Sequence, residues 1–436
     1  MQRKDFLEEL RWRNMLQDHT PGLEEYLASG MATAYIGFDP TAASLGLGNY
    51  VQIMLLSLFQ QSGHQPIVVM GGATGRIGDP SGKDKERELK TEDELDRNIA
   101  TQKEQFMKML NFTEGPNKAI MVNNYDFYKD MNVLEFLRKV GKNSTINYML
   151  AKESVKRRLE TGISYTEFTY QLLQAYDYHC LYKDYNCRLQ MGGSDQWGNI
   201  TAGTDYIHKT IKESKAFAVT TPLLTKSDGK KFGKSEEGNI WLDANMTSPY
   251  KFYQFWLNSD DADLPKYLRY FTLKTKEEVE TLEKQYRDDP RGLKAILAEE
   301  LTRRVHSDED FEIVKESTEK SRGNIFALTE DEFKEIITSI PTVKIQPIDI
   351  IEGEWGIYSN DNIFLTSIMD IFGFKSKSDL RRAVNENSLT INKVKITNIG
   401  HKILKSDLLH DKFLFVEYGK KLKLILDLSN CQFIES

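Results

Sequence analysis

The chain has 436 residues, of which 40% are hydrophobic and 28% are charged, a composition typical of a globular protein with two or three domains. No apolar run approaches the roughly 18 residues that a transmembrane helix requires, so a membrane protein is not expected. The three cysteines form no CxxC pair, which argues against a zinc site and favours the reducing cytoplasm. A formal net charge of −7 argues against indiscriminate binding to nucleic acid.

The charge is unevenly distributed along the chain. Residues 361–436 contain 12 lysines and arginines against 9 acidic residues, whereas residues 1–360 contain 46 against 56. A basic C-terminal segment on an acidic body indicates a separate module with its own binding partner.

The first predicted elements form a strand–helix–strand unit. Residues 33–38 have the pattern of a strand, residues 50–61 that of a largely apolar helix, and PIVVMGG (66–72) that of a strand followed by a glycine-rich loop. Such units build parallel doubly wound sheets, whose ligands bind beyond the carboxyl ends of the strands. The segments GFDPTAASLGLGN and GGATGRIGDPSGK follow these two strands and are therefore expected at a ligand site.

Further along the chain the pattern is mainly helical. Residues 86–160 are charged and helical in character, and YTEFTYQLLQAYDYHCLYKDY predicts an aromatic-rich helix. The segment RLQMGGSDQWGNI predicts a strand that runs into a loop, and a second charged helical stretch follows after a lysine-rich loop. Residues 341–360 lack a helical period and are interpreted as a linker, and the last segment as a short helix, a turn and β-structure.

The lysine-rich loop SDGKKFGKSEEGN carries Lys230, Lys231 and Lys234 within five residues. Ammonium groups bind phosphate as point charges, and a glycine-flanked loop can close over a polyphosphate. An isolated KxxKS is also typical of a solvated surface loop, so this motif alone does not decide between the two.

The loop GGATGRIGDPSGKD is similar to a P-loop but fails its spacing, because Ile77 stands where a glycine is required and Asp84 where a serine or threonine is required. It still offers backbone N–H groups, the acid Asp79 and the bases Lys83 and Arg87. A glycine-rich turn with incidental charges explains the segment nearly as well.

The aromatic-rich helix places three polar residues on one face. Tyr170, Gln174 and Asp177 stand at positions i, i+4 and i+7, a spacing that suits either a pocket for a polar aromatic or amine ligand or an exposed polar stripe. Asp195 and Gln196 follow the next predicted strand, where a ligand site and a polar turn are both reasonable interpretations.

Together and in this order, the motifs YIGFDPT, GGATGRIGDPSGK, TEFTYQLLQAYDY, GGSDQWGNI, KKFGKS and SPYKFYQFW resemble those of the bacterial tyrosyl-tRNA synthetases, a family of class I aminoacyl-tRNA synthetases. KFGKS is similar to the KMSKS signature of that class, and SKSDLRRAVNENSLTIN resembles an S4-type RNA-binding module. The resemblance spans nearly the whole chain.

The resemblance implies an α/β fold with a Rossmann-like doubly wound parallel sheet, followed by an α-helical domain and a small C-terminal S4-like α+β RNA-binding domain. The expected boundaries are 1–225 for the catalytic domain with a dimer-forming insertion, 226–340 for the KFGKS loop and helical domain, 341–360 for the linker and 361–436 for the S4-like domain.

It also implies an ATP-dependent tyrosine–tRNA ligase that forms tyrosyl-adenylate and then transfers the tyrosyl group to the 3′ end of tRNA(Tyr). The expected partners are L-tyrosine, ATP and tRNA(Tyr), with Mg²⁺ as the counter-ion of ATP and no metal cage built from protein side chains. A cytoplasmic homodimer without membrane contact is expected.

The resemblance assigns a role to each motif residue. Those expected to bind tyrosine are Tyr35, Asp79, Tyr170, Gln174, Asp177 and Gln196. Those expected to bind ATP or the adenylate are Gly37, Asp39, Gly48, Gly193, Asp195 and Lys234. Those expected to act on the phosphates in catalysis are Thr41, Asn49, Lys83, Arg87, Lys231, Lys234 and Ser235. Those expected to contact RNA are Lys375, Lys377, Arg381 and Arg382.

The sequence departs from the family at the HIGH signature, where Gly46, Leu47, Gly48 and Asn49 stand instead. Gly46 has no side-chain donor, and Asn49 offers one amide that either reaches a phosphate or only caps the following helix. The loss of a transition-state donor predicts slow adenylate formation with near-normal tyrosine binding. A weakened relative that only binds tyrosine, nucleotide or RNA is the alternative, whereas Tyr35 with Asp177 disfavours a ligase for another aromatic amino acid.

Overall fold

The computed structural model describes residues 4–81, 89–160, 162–229, 232–235, 238–322, 328–337, 342–344, 363–364, 374, 376–419 and 422–429. The chain divides into two compact units. The first comprises Met1–Thr247 and Phe255–Ser307, and the second Ser248–Gln254 and Asp308–Ser436. No helix in these described ranges is long and apolar enough to cross a membrane.

The first unit is built on a six-stranded sheet. Its strands are β1 (Asp18–His19), β2 (Thr33–Phe38), β3 (Gln65–Met70), β4 (Ile120–Asn123), β5 (Leu189–Gly193) and β6 (Phe217–Thr221). In space they follow the order β1-β6-β5-β2-β3-β4, so β3 and β4 extend the sheet on one side of β2, and β5 and β6 on the other. This reversal next to β2 is the switch point at which doubly wound sheets bind ligands.

At one edge the sheet departs from the predicted parallel arrangement. The strands from β2 to β6 pair in parallel, but β1 lies antiparallel to β6, with Asp18 opposite Thr220. A two-residue edge strand can join a parallel sheet in this direction because it needs no helical crossover. The sheet is therefore mixed.

The helices follow the predicted order along the chain. They are α1 (Phe6–Trp12), α2 (Leu23–Ser29), α3 (Leu47–Gln61), α4 (Glu92–Met109), α5 (Val133–Lys139), α6 (Ile146–Leu150), α7 (Glu153–Leu159), α8 (Tyr165–Tyr185), α9 (Trp197–Thr210), α10 (Pro249–Leu257), α11 (Leu264–Phe271), α12 (Lys276–Gln285), α13 (Pro290–Val305), α14 (Asp308–Arg322), α15 (Glu330–Ile337) and α16 (Lys377–Asn385). The stretch 86–160 also contains β4, which its charged, helical pattern did not predict.

Local sequence explains where α8 begins and ends. The Ser164 side chain accepts a hydrogen bond from the Glu167 N–H, which satisfies one of the free donors of the first turn. Asn186 ends the helix in the left-handed conformation that asparagine tolerates better than most residues. Between these ends Tyr178 and Leu181 are fully buried and pack with Tyr35 of β2 in one hydrophobic core.

The second unit contains a small sheet in which β-strands pack against α16. Its strands are β9 (Thr342–Lys344), β10 (Ile363–Phe364), β11 (Leu389–Ile391), β12 (Val394–Lys395), β13 (Lys402–Ile403), β14 (Phe413–Tyr418) and β15 (Leu422–Asp427), while β7 (Lys234–Ser235) and β8 (Gly238–Asn239) form a hairpin in the first unit. Five of them form a sheet in the order β12-β11-β14-β15-β9, antiparallel except for β9. The buried face of α16 joins its core through Leu380, Ala383 and Val384.

Residues 342–344, which lie inside the expected linker, thus form a strand of this sheet. The sequence-based domain boundaries remain predictions.

Candidate active site

A cavity of about 360 Å³ lies where β2, β3 and β5 end. Thirteen residues singled out from the sequence line it: Tyr35, Gly37, Asp39, Thr41, Gly48, Asn49, Asp79, Tyr170, Gln174, Asp177, Gly193, Asp195 and Gln196. Lys83, Arg87 and Lys231 lie outside the described residues, and so do the side chains of Lys234 and Ser235.

One end of the cavity is formed by Asp177 and Tyr35, which are only 3% and 1% exposed. The carboxylate of Asp177 accepts hydrogen bonds from the Tyr128 hydroxyl at 2.6 Å and from Asn124 Nδ2 at 2.9 Å. Burial raises the pKa of Asp177 to about 7, although the two hydrogen bonds oppose the rise. Burial, together with the charge of Asp177, also holds the pKa of Tyr35 well above its ordinary value, so its hydroxyl is a neutral donor.

Several buried oxygens at the cavity have no hydrogen-bond partner among the described residues. They are the Tyr35 hydroxyl and the Oε1 atoms of Gln52, Gln174 and Gln190. Buried polar groups in proteins are nearly always paired, so four such atoms around one cavity indicate a polar ligand. The burial of Tyr170 and Asp177 excludes the exposed polar stripe that the spacing of α8 also allowed.

A chain of hydrogen bonds joins Asp177 to Asp39, which directly follows β2. Asn124 Nδ2 donates to both Asp177 and the Thr74 hydroxyl, and Thr74 donates to Asp39 Oδ1 at 2.6 Å. On its other side Asp39 Oδ2 accepts from the Tyr170 hydroxyl at 3.0 Å. A Cβ on Gly71 would lie 2.2 Å from Asp39 Oδ1, so only glycine permits this approach.

Asp79 also lines the cavity, and both of its carboxylate oxygens accept hydrogen bonds. Oδ1 accepts from the Ser81 N–H at 2.9 Å, and Oδ2 from Gln196 Nε2 at 2.8 Å. Tyr170 donates its hydroxyl proton to Asp39 and lines the same cavity. Asp79, Tyr170 and Gln174 therefore border one cavity.

The GLGN segment forms the start of α3 and borders the cavity through Gly48 and Asn49. The Asn49 oxygen accepts from the Gly46 N–H at 3.1 Å, so this side chain does cap its own helix. Gly48 has no atom within 4 Å of the position of a Cβ, which leaves the helix N-terminus open to close approach by a phosphate.

The loop that carries KFGKS is attached to this segment by backbone hydrogen bonds. The Leu47 N–H donates to Ile240 O at 3.0 Å, and the Ile240 N–H donates to Gly233 O at 3.0 Å. Gly233 has a φ of +82°, and a Cβ there would lie 3.1 Å from Leu47 Cβ. Glycine is therefore required for both the turn and the close packing.

Sequence reasoning missed Gln52, Thr74, Asn124 and Gln190, all of which line the cavity. Gln52 lies three residues after Asn49 on α3, and Asn124 directly follows β4 at the same edge of the sheet. Because Gln52 lies three residues after Asn49 on the same helix, the sequence pattern could have predicted that its side chain is near that of Asn49. Asn124 could not be found before β4 was recognised as a strand.

The predicted RNA-binding residues belong to the second unit. Lys377, Arg381 and Arg382 are exposed on α16, and Arg382 also contacts Asp379 at 3.3 Å. Lys375 lies outside the described residues.

Comparison with known proteins places the chain among aminoacyl-tRNA synthetases. Residues 28–321 match the profile of the family described as tRNA synthetases class I (W and Y). The chain is 48% identical over 425 residues to the tyrosine–tRNA ligase of Cytophaga hutchinsonii, covering 96% of this chain and 98% of that protein. It is 49% identical over 434 residues to the tyrosine–tRNA ligase of Amoebophilus asiaticus, covering 98% and 100%.

A solved structure agrees with these relatives. The C-terminally truncated mitochondrial tyrosyl-tRNA synthetase of Aspergillus nidulans aligns with a TM-score of 0.65 at 30% identity, covering 73% of this chain and 94% of that one. The resemblance stated from the motifs is thereby confirmed. The chain belongs to the class I tRNA synthetases for tryptophan and tyrosine, and within them to the tyrosine–tRNA ligases.

Proposed function

We propose that this protein activates L-tyrosine with ATP and transfers it to the 3′ end of tRNA(Tyr). The observation that carries the proposal is the pairing, in one cavity, of a buried hydroxyl and carboxylate at one end with a group of acceptors at the other. A phenol and an ammonium group at the two ends of tyrosine would satisfy both.

At the phenol end, Tyr35 donates to the substrate oxygen and the substrate O–H donates to Asp177. Phenylalanine would leave both groups buried and unpaired, and tyrosyl-tRNA synthetases are themselves the standard illustration of selectivity gained in this way. At the other end, Asp79, Tyr170 and Gln174 hold the ammonium group. Gln196, fixed to Asp79, lies beside the substrate carboxylate.

In the first step a carboxylate oxygen of tyrosine forms a bond to the α-phosphorus of ATP, and the bond from that phosphorus to the bridging oxygen of pyrophosphate breaks. No general base is needed because tyrosine binds as a carboxylate, so positioning and charge neutralisation provide the catalysis. In the second step a ribose hydroxyl of the tRNA attacks the tyrosyl carbonyl, and AMP leaves.

The nucleotide lies toward Asp39, Gly193 and Asp195, with Gly37 and Gly48 allowing close approach. Thr41, Asn49, Lys83, Arg87, Lys231, Lys234 and Ser235 act on the phosphates. Mg²⁺ enters with ATP as part of the substrate rather than as a metal held by protein side chains.

The open start of α3 favours phosphate through its N–H groups and helix dipole. Because Gly46 has no side chain, the adenylate-forming step lacks one donor, and the step is slow but not abolished.

Tyrosine-dependent exchange between ATP and pyrophosphate, followed by charging of tRNA(Tyr), tests the proposal. We expect both reactions, with exchange slower than in relatives that keep the first histidine. The absence of a side-chain donor at Gly46 favours one competing function, in which the protein binds tyrosine, nucleotide or RNA but does not catalyse the reaction. Absence of exchange at every enzyme concentration, with tyrosine binding retained, would favour that alternative.

A homodimer is part of the proposal. Exposed apolar side chains cluster on α5 and α6, where Val133, Leu134, Leu137 and Ile146 are 69%, 75%, 45% and 61% exposed. An apolar surface of this kind is typical of an interface, and we propose that a second copy of the chain covers it. We further propose that the second unit, through Lys375 and the basic residues of α16, is an S4-like module that binds tRNA.

A further inference from the structure

The Tyr128 hydroxyl lies behind Asp177, outside the set of residues that line the cavity. Its oxygen is 2.6 Å from Asp177 Oδ1 and 2.8 Å from the carbonyl oxygen of Leu173. The ring packs at a tilt against Tyr176 and Phe136, whose centroids lie 5.7 and 6.4 Å away. One hydroxyl proton thus faces two acceptors, and the ionisation of Asp177 decides which acceptor receives it.

If Asp177 is ionised, Tyr128 donates to Oδ1 and Asn124 donates to Oδ2. If Asp177 is protonated on Oδ1, the acid donates to Tyr128, which then donates to Leu173 O. The position of the hydroxyl fits both states. Only the ionised state offers Asp177 as an acceptor on both oxygens.

The hydroxyl of Tyr35 determines which protonation state of Asp177 favours binding of the substrate tyrosine. Its hydroxyl has no partner among the described residues, so it must donate to the phenol oxygen of the substrate. The phenol proton then goes to Asp177, which accepts it beside Asn124 most strongly as the ionised carboxylate.

The groups around Asp177 differ in their effect on its charge. Burial and the carboxylate of Asp39 favour the protonated form, whereas Tyr128 and Asn124 favour the ionised form. Burial and the charge of Asp177 keep the pKa of Tyr128 well above its ordinary value, so Tyr128 stays a neutral donor. Tyr35 is neutral for the same reasons, and burial likewise raises the pKa of Cys180, so its thiol is also neutral.

We propose that Tyr128 is a positioning residue for substrate selection, whose hydroxyl holds Asp177 as the ionised acceptor of the tyrosine phenol. The inference rests on the proposed function and adds a residue that never touches the substrate. Tyr128 acts on tyrosine alone, because phenylalanine has no proton to donate to Asp177.

The test is Tyr128→Phe in the full chain, assayed by ATP–pyrophosphate exchange with tyrosine and with phenylalanine. A hydrogen bond to a charged group contributes enough that its loss should raise KM for tyrosine about 10-fold or more at pH 7.5. The KM for ATP, kcat at saturating tyrosine and kcat/KM for phenylalanine should stay within about twofold. The acid limb of kcat/KM for tyrosine should move to higher pH, a change that a loss of packing alone would not cause.

Tyr125→Phe is the matched control. Tyr125 lies three residues earlier, is 38% exposed and packs its ring under Arg76, so its hydroxyl should be dispensable. Tyr128→Leu, which also removes the hydroxyl, replaces Tyr128→Phe if the latter does not fold.

The inference is overturned if Tyr128→Phe leaves KM for tyrosine and its pH profile unchanged, or if KM for ATP rises equally. Failure of the proposed function has a different signature, because the unaltered protein would then show no tyrosine-dependent exchange.

Discussion

The side-chain oxygen of Asn49 accepts a hydrogen bond from the backbone N–H of Gly46 across the first turn of α3, at 3.1 Å. Gly46 has a φ of −95°, which every amino acid adopts, and a Cβ there would meet no atom closer than 3.5 Å. The backbone and the space around Cβ at position 46 therefore tolerate a residue with a side chain.

We expect Gly46→His, alone or with Asn49→His, to accelerate ATP–pyrophosphate exchange. Restoring one transition-state donor is worth about 10²- to 10³-fold in rate, with little change in KM for tyrosine. Gly46→Ala is the matched control, because it adds a side chain without a donor. Equal rates for the histidine variants and the unaltered protein would contradict the account of the missing donor.

Tyrosine activation should depend on the ionisation of Asp177. Because burial raises its pKa to about 7, the carboxylate is an acceptor above that pH and is lost as an acceptor below it. We expect kcat/KM for tyrosine to rise through pH 7 and then level off, since this parameter reports groups of the free enzyme. Exchange assays at low tyrosine from pH 5.5 to 9 measure the profile; a flat profile would show that Asp177 does not control binding.

Asp177→Asn should stabilise the fold while it impairs tyrosine activation. The folded-state pKa of about 7 lies above the ordinary value of 3.8, so ionising the buried carboxyl costs stability above pH 7 and the cost disappears toward pH 4. An amide in its place accepts from Asn124 and donates to Tyr128, which donates to Leu173 O. We expect Tm to rise by a few degrees at pH 8 and by clearly less at pH 5, where only part of this cost remains.

Thermal unfolding at the two pH values measures this effect. A stabilisation of the same size at both values would mean that it does not come from the charge.

Leu134→Asp should dissociate the proposed homodimer. Leu134 is 75% exposed on α5, and a carboxylate buried there in each copy would remain without a counter-charge. Sedimentation at micromolar concentration should show a dimer for the unaltered protein and a monomer for the variant. Leu404→Asp, at a 45% exposed position of the second unit, should leave the dimer intact. An unaltered protein that sediments as a monomer would refute the interface.

Removing the charges of α16 should weaken tRNA charging but not pyrophosphate exchange. We expect Lys377→Ala with Arg381→Ala to raise KM for tRNA and to make the salt dependence of binding shallower, by about one unit of slope for each phosphate that is no longer neutralised. Lys334→Ala is the control, because Lys334 is exposed but already paired with Glu330 at 3.1 Å. If aminoacylation of tRNA is unchanged in the double variant, the basic residues of α16 are only a solvated surface.

The parts of the site that sequence could predict are those with a fixed local geometry. Residues at the spacing of Tyr170, Gln174 and Asp177 lie on one face of any helix. Asp39 directly follows β2, and Asp195 lies two residues after the end of β5. Such positions follow from periodicity and from the rule that parallel strands present their carboxyl ends at one edge.

The rest depends on segments that only the folded chain brings together. Asn124 and Tyr128 follow β4, a four-residue strand within a stretch whose charge pattern is helical. Nothing local relates Tyr128 to Asp177, which lies 49 residues later. The antiparallel direction of β1 likewise depends on its tertiary contact with β6, because a two-residue strand has no sequence periodicity from which it could be predicted.

The hydrogen bonds from Asp177 through Asn124 and Thr74 join the phenol end of the cavity to Asp39, the residue expected beside the nucleotide. Asp39 in turn accepts a hydrogen bond from Tyr170. Every hydroxyl and amide proton between the ends has a set direction, so ordering one end orders the other. The affinities for the two substrates should therefore be linked, and by thermodynamic reciprocity any factor that tyrosine adds to ATP affinity, ATP adds to tyrosine affinity. Saturation with one substrate would then tighten binding of the other through the protein, in addition to any effect of their direct contact.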